Sequence, residues 1–439
     1  MSEFQIRMAE VAKLVPYAGN ARVHSDEQIQ KVAASIQNFG FMNPIIVDEK
    51  NVIIAGHGRV LAAKTLAIRE VPTLCISHLS KAEISAYRLA DNRLAEISDW
   101  NEEALRDELE FLSEIDIDFD IEFTGFDQPE IDELLNSEVT ENTDILDQDL
   151  PRPQEDPIVI PGDIFTLGRH RIICGDCRDL SVMSALMGED RARFVFSEVP
   201  HNMKTSGHVL VPNKSHDEFA MASGEMNKQQ FTEFLQDCFQ QFYDFSLDGA
   251  IGSFFMDWRH LVEILAAGEA VYDNLIDLCV WMKSNAGTSS SFMSAHNLVF
   301  LFKKGRGKHV NSVQISEFER SHKSISIHAS ASSFDYEPTP DLAFHPTVKP
   351  VRMIADAILD ATKSNDIVLD GFLGLGTTVL AAEQTGRVCY GCEIAPQYVE
   401  VCIQRFSSAF REPVIHDESG FSFFELKAQR LRELVKEGT

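Results

Sequence analysis

Two acidic residues and a glycine turn near the end of the chain have the types and the spacing to bind a nucleoside. Asp370 ends a short apolar strand and Glu393 ends the next one, with Gly374 and Gly376 in the turn between them. Glycines let a ligand approach the backbone, and an acid at the end of the second strand can accept hydrogen bonds from both ribose hydroxyls. Only two glycines are paired, so the pattern favours a mononucleoside such as S-adenosylmethionine over a dinucleotide. A turn that binds no ligand is the alternative.

A second glycine turn lies near the N-terminus. The sequence Gly-His-Gly-Arg at 56–59 follows an apolar strand and opens a helix. Backbone N–H groups at the start of a helix attract anions, so this turn is a candidate phosphate site, although most short turns of this kind are structural. Upstream, Ser25 and Gln28 form a capping-box sequence, which predicts a helix that ends at Gly40.

The chain that must position these turns has the composition of a globular protein. Its 439 residues are 44% hydrophobic and 24% charged, which excludes a disordered or fibrous chain and predicts two or three domains. No apolar run is long enough to cross a membrane and the N-terminus lacks a signal-peptide pattern, so we expect a cytoplasmic protein with no membrane partner. The pairs Cys174/Cys177 and Cys389/Cys392 end strands, where residues three apart face opposite sides, so we expect no metal site.

The net charge of −29 is concentrated in one segment. Residues 99–157 hold 22 acidic residues against Arg106 and Arg152, whereas residues 1–98 are nearly neutral. This charge argues against a general nucleic-acid coat, because phosphate binding needs local positive charge. The acidic segment has apolar residues at helical spacing and then a polar, proline-containing stretch. We therefore predict an α/β domain over 1–98, an acidic helical connector and linker over 99–157, and a larger α/β domain over 158–439.

Four short boxes in the first part resemble the ParB-like N-terminal domain. They are Asn-Ala-Arg at 20–22, Gly-Phe-Met-Asn-Pro at 40–44, Ala-Gly-His-Gly-Arg at 55–59 and Leu-Ala-Asp-Asn-Arg at 89–93. The resemblance implies a module that binds a nucleoside triphosphate or the DNA backbone. This family is often labelled a nuclease, yet the sequence has no cluster of metal ligands to support cleavage. The residues that match the phosphate-binding boxes are Asn20, Arg22, Gly56, His57, Gly58 and Arg59.

The larger part resembles the amino-group DNA methyltransferases, which modify adenine N6 or cytosine N4. The resemblance rests on a strand ending at Asp176, on His-Pro-Thr-Val-Lys-Pro at 345–350 and on the glycine turn, in the permuted order with the cofactor glycines last. A bacterial and phage branch of this family joins a ParB-like domain to the methylase. The resemblance implies a Rossmann-like domain that binds S-adenosylmethionine through Asp176, Thr347, Lys349, Asp370, Phe372, Gly374, Gly376 and Glu393.

Within that set, the resemblance assigns all residues except Asp370 to one part of the cofactor. Glu393 would hold the ribose and Asp176 the adenine end, while Thr347 and Lys349 would hold the carboxylate end. The residues around the methionine part would be Phe372, Gly374 and Gly376. Leu373 and Leu375 depart from the family, which has small residues in this turn.

The predicted catalytic loop also departs from the family, in which it reads Asp-Pro-Pro-Tyr. Here Glu198, Val199, Pro200 and His201 stand at those four positions. The resemblance implies that Glu198 accepts the hydrogens of the target amine and that His201 stacks on the flipped base. Glutamate is one methylene longer than aspartate, and a misplacement of about 1 Å can lower a rate about 100-fold.

Two functions stay open at this point. The first is a site-specific DNA methyltransferase that uses S-adenosylmethionine; adenine N6 is the favoured assignment of its target and cytosine N4 is the alternative. The second is a catalytically impaired relative that binds DNA or a nucleotide and regulates; a nucleotide-hydrolysing switch in residues 1–98 is a weaker third. DNA is the expected partner, and a homodimer stays open. Any DNA contact in 158–439 needs a local basic strip, for which Lys303, Lys304, Arg306 and Lys308 are the candidates.

Overall fold

The computed structural model shows a mixed α/β protein, which confirms the predicted fold class. It divides into two compact units, Met1–Leu135 and Asn136–Thr439. No helix among the described residues is long and apolar enough to cross a membrane. The structure describes residues 5–98, 100–114, 121–136, 151–154, 156–203, 221–287, 294–311, 325–328 and 349–437.

The first unit contains a four-stranded mixed sheet in the order β1-β4-β2-β3. Its strands are β1 (Ile6–Glu10), β2 (Ile45–Val47), β3 (Ile53–Ala55) and β4 (Glu70–Cys75). Strands β2 and β4 are parallel, whereas β1 pairs with β4 and β2 pairs with β3 in antiparallel fashion. A small core of apolar residues lies between the sheet and its helices.

The described residues of this unit form five α-helices. The first has the predicted N-cap and end, because the Ser25 side chain accepts a hydrogen bond from the Gln28 N–H at 3.1 Å and Gly40 ends the helix at a φ of +81°. The Gln28 side chain contacts His24 at 2.9 Å rather than completing the predicted capping box. The last two fall in the range predicted as an acidic connector. The helices are α1 (Asp26–Phe39), α2 (His57–Thr65), α3 (Lys81–Glu96), α4 (Glu102–Glu114) and α5 (Gln128–Asn136).

The second unit is built on a sheet of ten described strands in the order β11-β9-β10-β8-β7-β12-β13-β6-β5-β14. The five central strands, from β8 to β6 in that order, are parallel. The strands are β5 (Ile164–Leu167), β6 (His170–Cys174), β7 (Ala192–Ser197), β8 (Ser246–Met256), β9 (Asn274–Gly287), β10 (Ser294–Lys303), β11 (Ile325–His328), β12 (Ile367–Asp370), β13 (Val388–Glu393) and β14 (Val414–His416).

From the parallel neighbours β7 and β12, the chain proceeds towards opposite edges of the sheet. Strand β7 is followed by β8 on one side of it, and β12 is followed by β13 on the other side. In open α/β sheets, ligands bind outside the carboxyl ends of the strands at such a switch point. The helices of this unit are α6 (Leu180–Met187), α7 (Lys228–Asp244), α8 (Leu261–Val271), α9 (Val351–Ala361), α10 (Thr377–Gln384), α11 (Pro396–Phe410) and α12 (Phe423–Glu437).

Candidate functional site

Hydroxyl and carboxylate side chains gather where four neighbouring parallel strands end. Ser197 ends β7, Asp370 ends β12 and Glu393 ends β13, while Asp176 follows β6 by two residues. The predicted strand, glycine turn, helix and second strand are all present over 367–393. The structure therefore brings three of the sequence-predicted acids to one edge of the sheet, at the switch point.

Asp370 connects the catalytic loop to the glycine turn. Its side chain is buried, with one oxygen accepting hydrogen bonds from the Ser197 hydroxyl (3.0 Å) and the Phe372 N–H (3.0 Å). The other oxygen accepts a hydrogen bond from the Thr378 hydroxyl at 2.7 Å. Burial raises the pKa of Asp370 to about 6. Because protein donors already use both oxygens, Asp370 holds the site together.

The glycine turn needs its glycines for conformation and for space. Gly374 and Gly376 have φ angles of +55° and +82°, in the left-handed region that favours glycine. A Cβ on Gly376 would lie 2.2 Å from the sulfur of Cys402. The turn is therefore packed closely against α11 and keeps its backbone shape.

The two leucines of the turn point into the protein. Leu373 is buried and packs on Gly391, where an added Cβ would lie 2.6 Å from a Leu373 methyl carbon. Leu375 is also buried and packs with Val401 and Tyr398. These departures from the family's small residues therefore fill the core, a direction that the sequence alone did not give.

Glu393 completes the turn from the neighbouring strand. One oxygen accepts a hydrogen bond from the Gly374 N–H at 2.7 Å and the other from the Ala395 N–H at 2.9 Å. Burial, with the nearby charge of Asp370, raises the pKa of Glu393 to about 7 against the lowering effect of these hydrogen bonds. A carboxylate has about four acceptor positions, so each oxygen can accept a further hydrogen bond from a ligand hydroxyl.

Asp176 has an arginine partner that the sequence reasoning missed. The Arg178 guanidinium donates to both Asp176 oxygens, at 2.6 Å to one and 3.0 Å to the other. Burial acts to raise the pKa of Asp176, but these hydrogen bonds outweigh it and the pKa is lowered. Arg178 also lies 4.9 Å from the ring centroid of Phe234. The signal that the sequence offered for this pair was that Arg178 follows Asp176 by two positions.

Three buried residues fix the predicted catalytic loop. Ser197 is buried against Asp370, and Val199 is fully buried in the core. Asn202 is buried with a φ of +48°, and its side chain donates to the Met226 carbonyl at 2.9 Å and accepts from the Gly224 N–H at 3.1 Å. The three predicted catalytic residues between these points are partly exposed: Glu198, Pro200 and His201.

Lys349 reaches this loop, a contact that the sequence did not predict. Its ammonium pairs with the Glu198 carboxylate, across 151 residues of chain. The Lys349 nitrogen also lies 5.2 Å from the ring centroid of Trp281 and 5.5 Å from that of Phe255. Thr347, which was predicted together with Lys349 at the carboxylate end of the cofactor, lies outside the described residues.

The first unit has a separate candidate site. A cavity of about 170 Å³ is lined by all six of the residues predicted from the ParB-like boxes. Gly56 begins α2 with a φ of +99°, and burial, together with the charges of His24 and Arg88, lowers the pKa of His57. The sequence reasoning missed His24 and Gln28, which also line the cavity and contact each other at 2.9 Å. The predicted residues in the cavity wall are Asn20, Arg22, Gly56, His57, Gly58 and Arg59.

Comparison with known families follows the same division of the chain. The sequence model of the ParB N-terminal domain matches residues 2–93, and that of the DNA methylases (N6/N4 type) matches residues 192–404. The chain therefore contains a ParB N-terminal domain and a DNA methylase domain of the N6/N4 family. A third model, the ParB-methyltransferase HTH domain, matches residues 103–161, which overlap the segment that we predicted as an acidic connector.

Individual relatives match each of the two parts of the chain. The ParB-like nuclease domain-containing protein YnaK of Escherichia coli K12 is 48% identical over 81 residues, covering 18% of this chain and 93% of that protein. The type II methyltransferase M.HinfI of Haemophilus influenzae is 27% identical over 257 residues, covering 54% of this chain and 68% of that one. Among solved structures, the cytosine-N4-specific PvuII DNA methyltransferase aligns with a TM-score of 0.44 at 15% identity, over 61% of this chain and 93% of that one.

One of the four candidate DNA-binding cations of the methylase has a structural role. The Lys304 ammonium donates to the backbone carbonyls of Tyr243 (2.6 Å) and Ser246 (2.9 Å), and burial lowers its pKa. It therefore ties the end of α7 and the start of β8 to the end of β10. Lys303, Arg306 and Lys308 are at least partly exposed.

The paired cysteines of the methylase are buried in its core. Burial raises the pKa of Cys174 to about 12, and the Cys392 thiol donates to the Gly175 carbonyl at 3.2 Å. Within the part of the chain that the structure describes, no three His, Cys, Asp or Glu side chains form a group that could hold a metal ion.

Proposed function

We propose that this methylase is a site-specific enzyme that transfers a methyl group from S-adenosylmethionine to an exocyclic amine of DNA, with adenine N6 as the proposed target and cytosine N4 as the alternative. The observation that carries this proposal is the shared carboxylate of Asp370. It accepts hydrogen bonds from the Ser197 hydroxyl of the catalytic loop and from the Phe372 N–H of the glycine turn, so these bonds join the two predicted halves of the reaction site.

The residues at the turn fit the proposed cofactor. Glu393 is buried, with acceptor positions left for the two ribose hydroxyls, and both leucines of the turn point away into the core. Asp176 would face the adenine end. When bound, S-adenosylmethionine supplies an electrophilic methyl group. The residues that would border its methionine part are Phe372, Gly374 and Gly376.

The residues of the loop supply what the target base needs. An exocyclic amine is a weak nucleophile because its lone pair is delocalised into the ring, and the base must leave the duplex stack to be reached. Glu198 would accept the hydrogens of the amine and favour a tetrahedral nitrogen. His201 would stack on the flipped base, and Pro200 would restrict the backbone between them.

The replaced loop favours a second candidate, a relative that keeps the scaffold but transfers no methyl group. Tritiated-methyl transfer to unmethylated DNA separates the two candidates. We expect transfer by the wild type and at least a tenfold loss in Glu198→Gln, which presents an amide donor to the amine. A silent wild type, with transfer restored by Glu198→Asp, Val199→Pro and His201→Tyr together, would establish the second candidate.

For the first unit we propose binding of a nucleoside triphosphate. All six predicted residues line one cavity, and the N-terminus of α2 opens at Gly56 in its wall. Backbone N–H groups and the helix dipole favour phosphate there. Equilibrium binding of the four ribonucleoside triphosphates should show at least one ligand whose affinity falls in Arg59→Ala. Equal affinity of wild type and variant for all four would refute this proposal.

A further inference from the structure

The ion pair between Glu198 and Lys349 joins the catalytic loop to a helix anchored in the core. Lys349 comes directly before Pro350, which begins α9, and Val351 is fully buried. The side chain of Lys349 is itself only 5% exposed, and that of Glu198 is 20% exposed. The position of the ammonium is therefore set by the core of the second unit.

Two aromatic rings hold the Lys349 ammonium in place. Trp281 and Phe255 are both buried, and their rings meet edge to face with centroids 6.3 Å apart. The ammonium is within 6 Å of both ring centroids, the range in which a cation and an aromatic face attract. Because a buried cation must be paired, the carboxylate of Glu198 is drawn to one fixed place.

Glutamate at this position needs such a partner more than aspartate would. Its extra methylene adds a rotatable bond, so an unheld carboxylate samples more positions relative to the base. A carboxylate also has about four acceptor positions, so pairing with Lys349 leaves capacity for the hydrogens of an amine.

We propose that Lys349 is a positioning residue that holds the Glu198 carboxylate where the hydrogens of the target amine are accepted. This inference rests on the proposed methyl transfer. It gives Lys349 a role different from the one that the resemblance implied, at the carboxylate end of the cofactor.

The two roles predict opposite changes in Lys349→Met, which keeps an unbranched side chain, one atom shorter, and removes its charge. If Lys349 acts through Glu198, the substitution should lower the single-turnover rate at saturating S-adenosylmethionine about 10- to 100-fold, because the carboxylate would be misplaced by up to about 1 Å. Calorimetry should then show cofactor affinity within about twofold of the wild type, and Lys349→Arg, which keeps the charge, should recover part of the rate. A weakened cofactor affinity with an unchanged rate at saturation would overturn the proposal.

A second comparison tests whether Lys349 acts through Glu198. In a Glu198→Gln background, Lys349→Met should lower the rate by less than about twofold, because the carboxylate that it positions is already gone. The full 10- to 100-fold loss in that background would overturn the inference and leave the proposed function intact. A wild type that binds the cofactor and transfers no methyl group to DNA would instead refute the proposed function, and this inference with it.

Discussion

The ionisation of Glu393 should control how tightly the cofactor binds. Burial raises the pKa of Glu393 to about 7, where most carboxylates in proteins are fully ionised. Ribose hydroxyls donate hydrogen bonds, and a protonated carboxyl has lost acceptor capacity and gained a donor. The ligand therefore binds the ionised form, so affinity should rise as the pH rises through about 7.

The size of the effect follows from the fraction of ionised carboxylate. With a pKa of about 7, Glu393 is about 90% ionised at pH 8 and about 10% ionised at pH 6. The apparent Kd scales inversely with the ionised fraction of Glu393. It should therefore increase about tenfold as the pH falls from 8 to 6, which corresponds to about 1.4 kcal/mol of binding free energy.

Calorimetry of the full chain with S-adenosylmethionine at these two pH values measures this change. Glu393→Gln is the matched control, because it keeps the shape of the side chain and does not titrate. Its affinity should be weaker at pH 8 by about 1–3 kcal/mol, since the amide nitrogen that replaces one carboxylate oxygen leaves a buried ribose hydroxyl without an acceptor. Any titration of the ligand itself appears in both proteins. An identical pH dependence in wild type and Glu393→Gln would refute the assignment of Glu393 as the ribose acceptor.

Three further tests concern Asp370, Gly376 and the basic strip. The pKa of Asp370 is about 6 in the folded protein against 3.8 for an ordinary aspartate, so the unfolding free energy of the wild type should fall by up to about 3 kcal/mol as the pH rises from 4 to 8. In urea unfolding, Asp370→Asn should lack this loss. An equal dependence of the unfolding free energy on pH in both proteins would contradict the argument. Gly376→Ala should lower the stability by more than about 1 kcal/mol, because the new Cβ meets Cys402 and the φ is positive; an unchanged melting temperature would argue against that close packing. If the basic strip touches DNA, Lys303→Gln with Lys308→Gln should reduce the log–log salt slope of binding by about two, whereas Lys304→Gln should lower the melting temperature instead. An unchanged slope in the double variant would place the strip away from the phosphates.

The sequence predicted the helices, strands and turns that are determined by residues close to each other in the chain. The helix from Ser25 to Gly40 and the unit from Asp370 to Glu393 carry their own capping and turn residues, so local chemistry determines them. The Lys349–Glu198 pair and the Ser197–Asp370 hydrogen bond connect residues 151 and 173 positions apart, and no periodicity records such contacts.

The direction of a side chain in a turn was equally beyond the sequence. Leu373 and Leu375 replace small residues, and only the packing against Gly391 and Val401 shows that they fill the core. In the first unit, the boxes that resemble the ParB family identified six residues of one cavity wall. His24 and Gln28 lie outside those boxes, just before α1 and in its first turn, and needed the fold to be found.

The shared carboxylate of Asp370 has a consequence for protein engineering. Ser197, at the start of the catalytic loop, and Thr378, in the helix after the glycine turn, both donate their hydroxyls to it. A catalytic loop transplanted from another methylase would therefore have to bring a hydroxyl at position 197, or leave a buried acceptor short of one donor. Swapping loops to change the target base and redesigning the turn to accept a cofactor analogue are consequently one linked design problem in this chain.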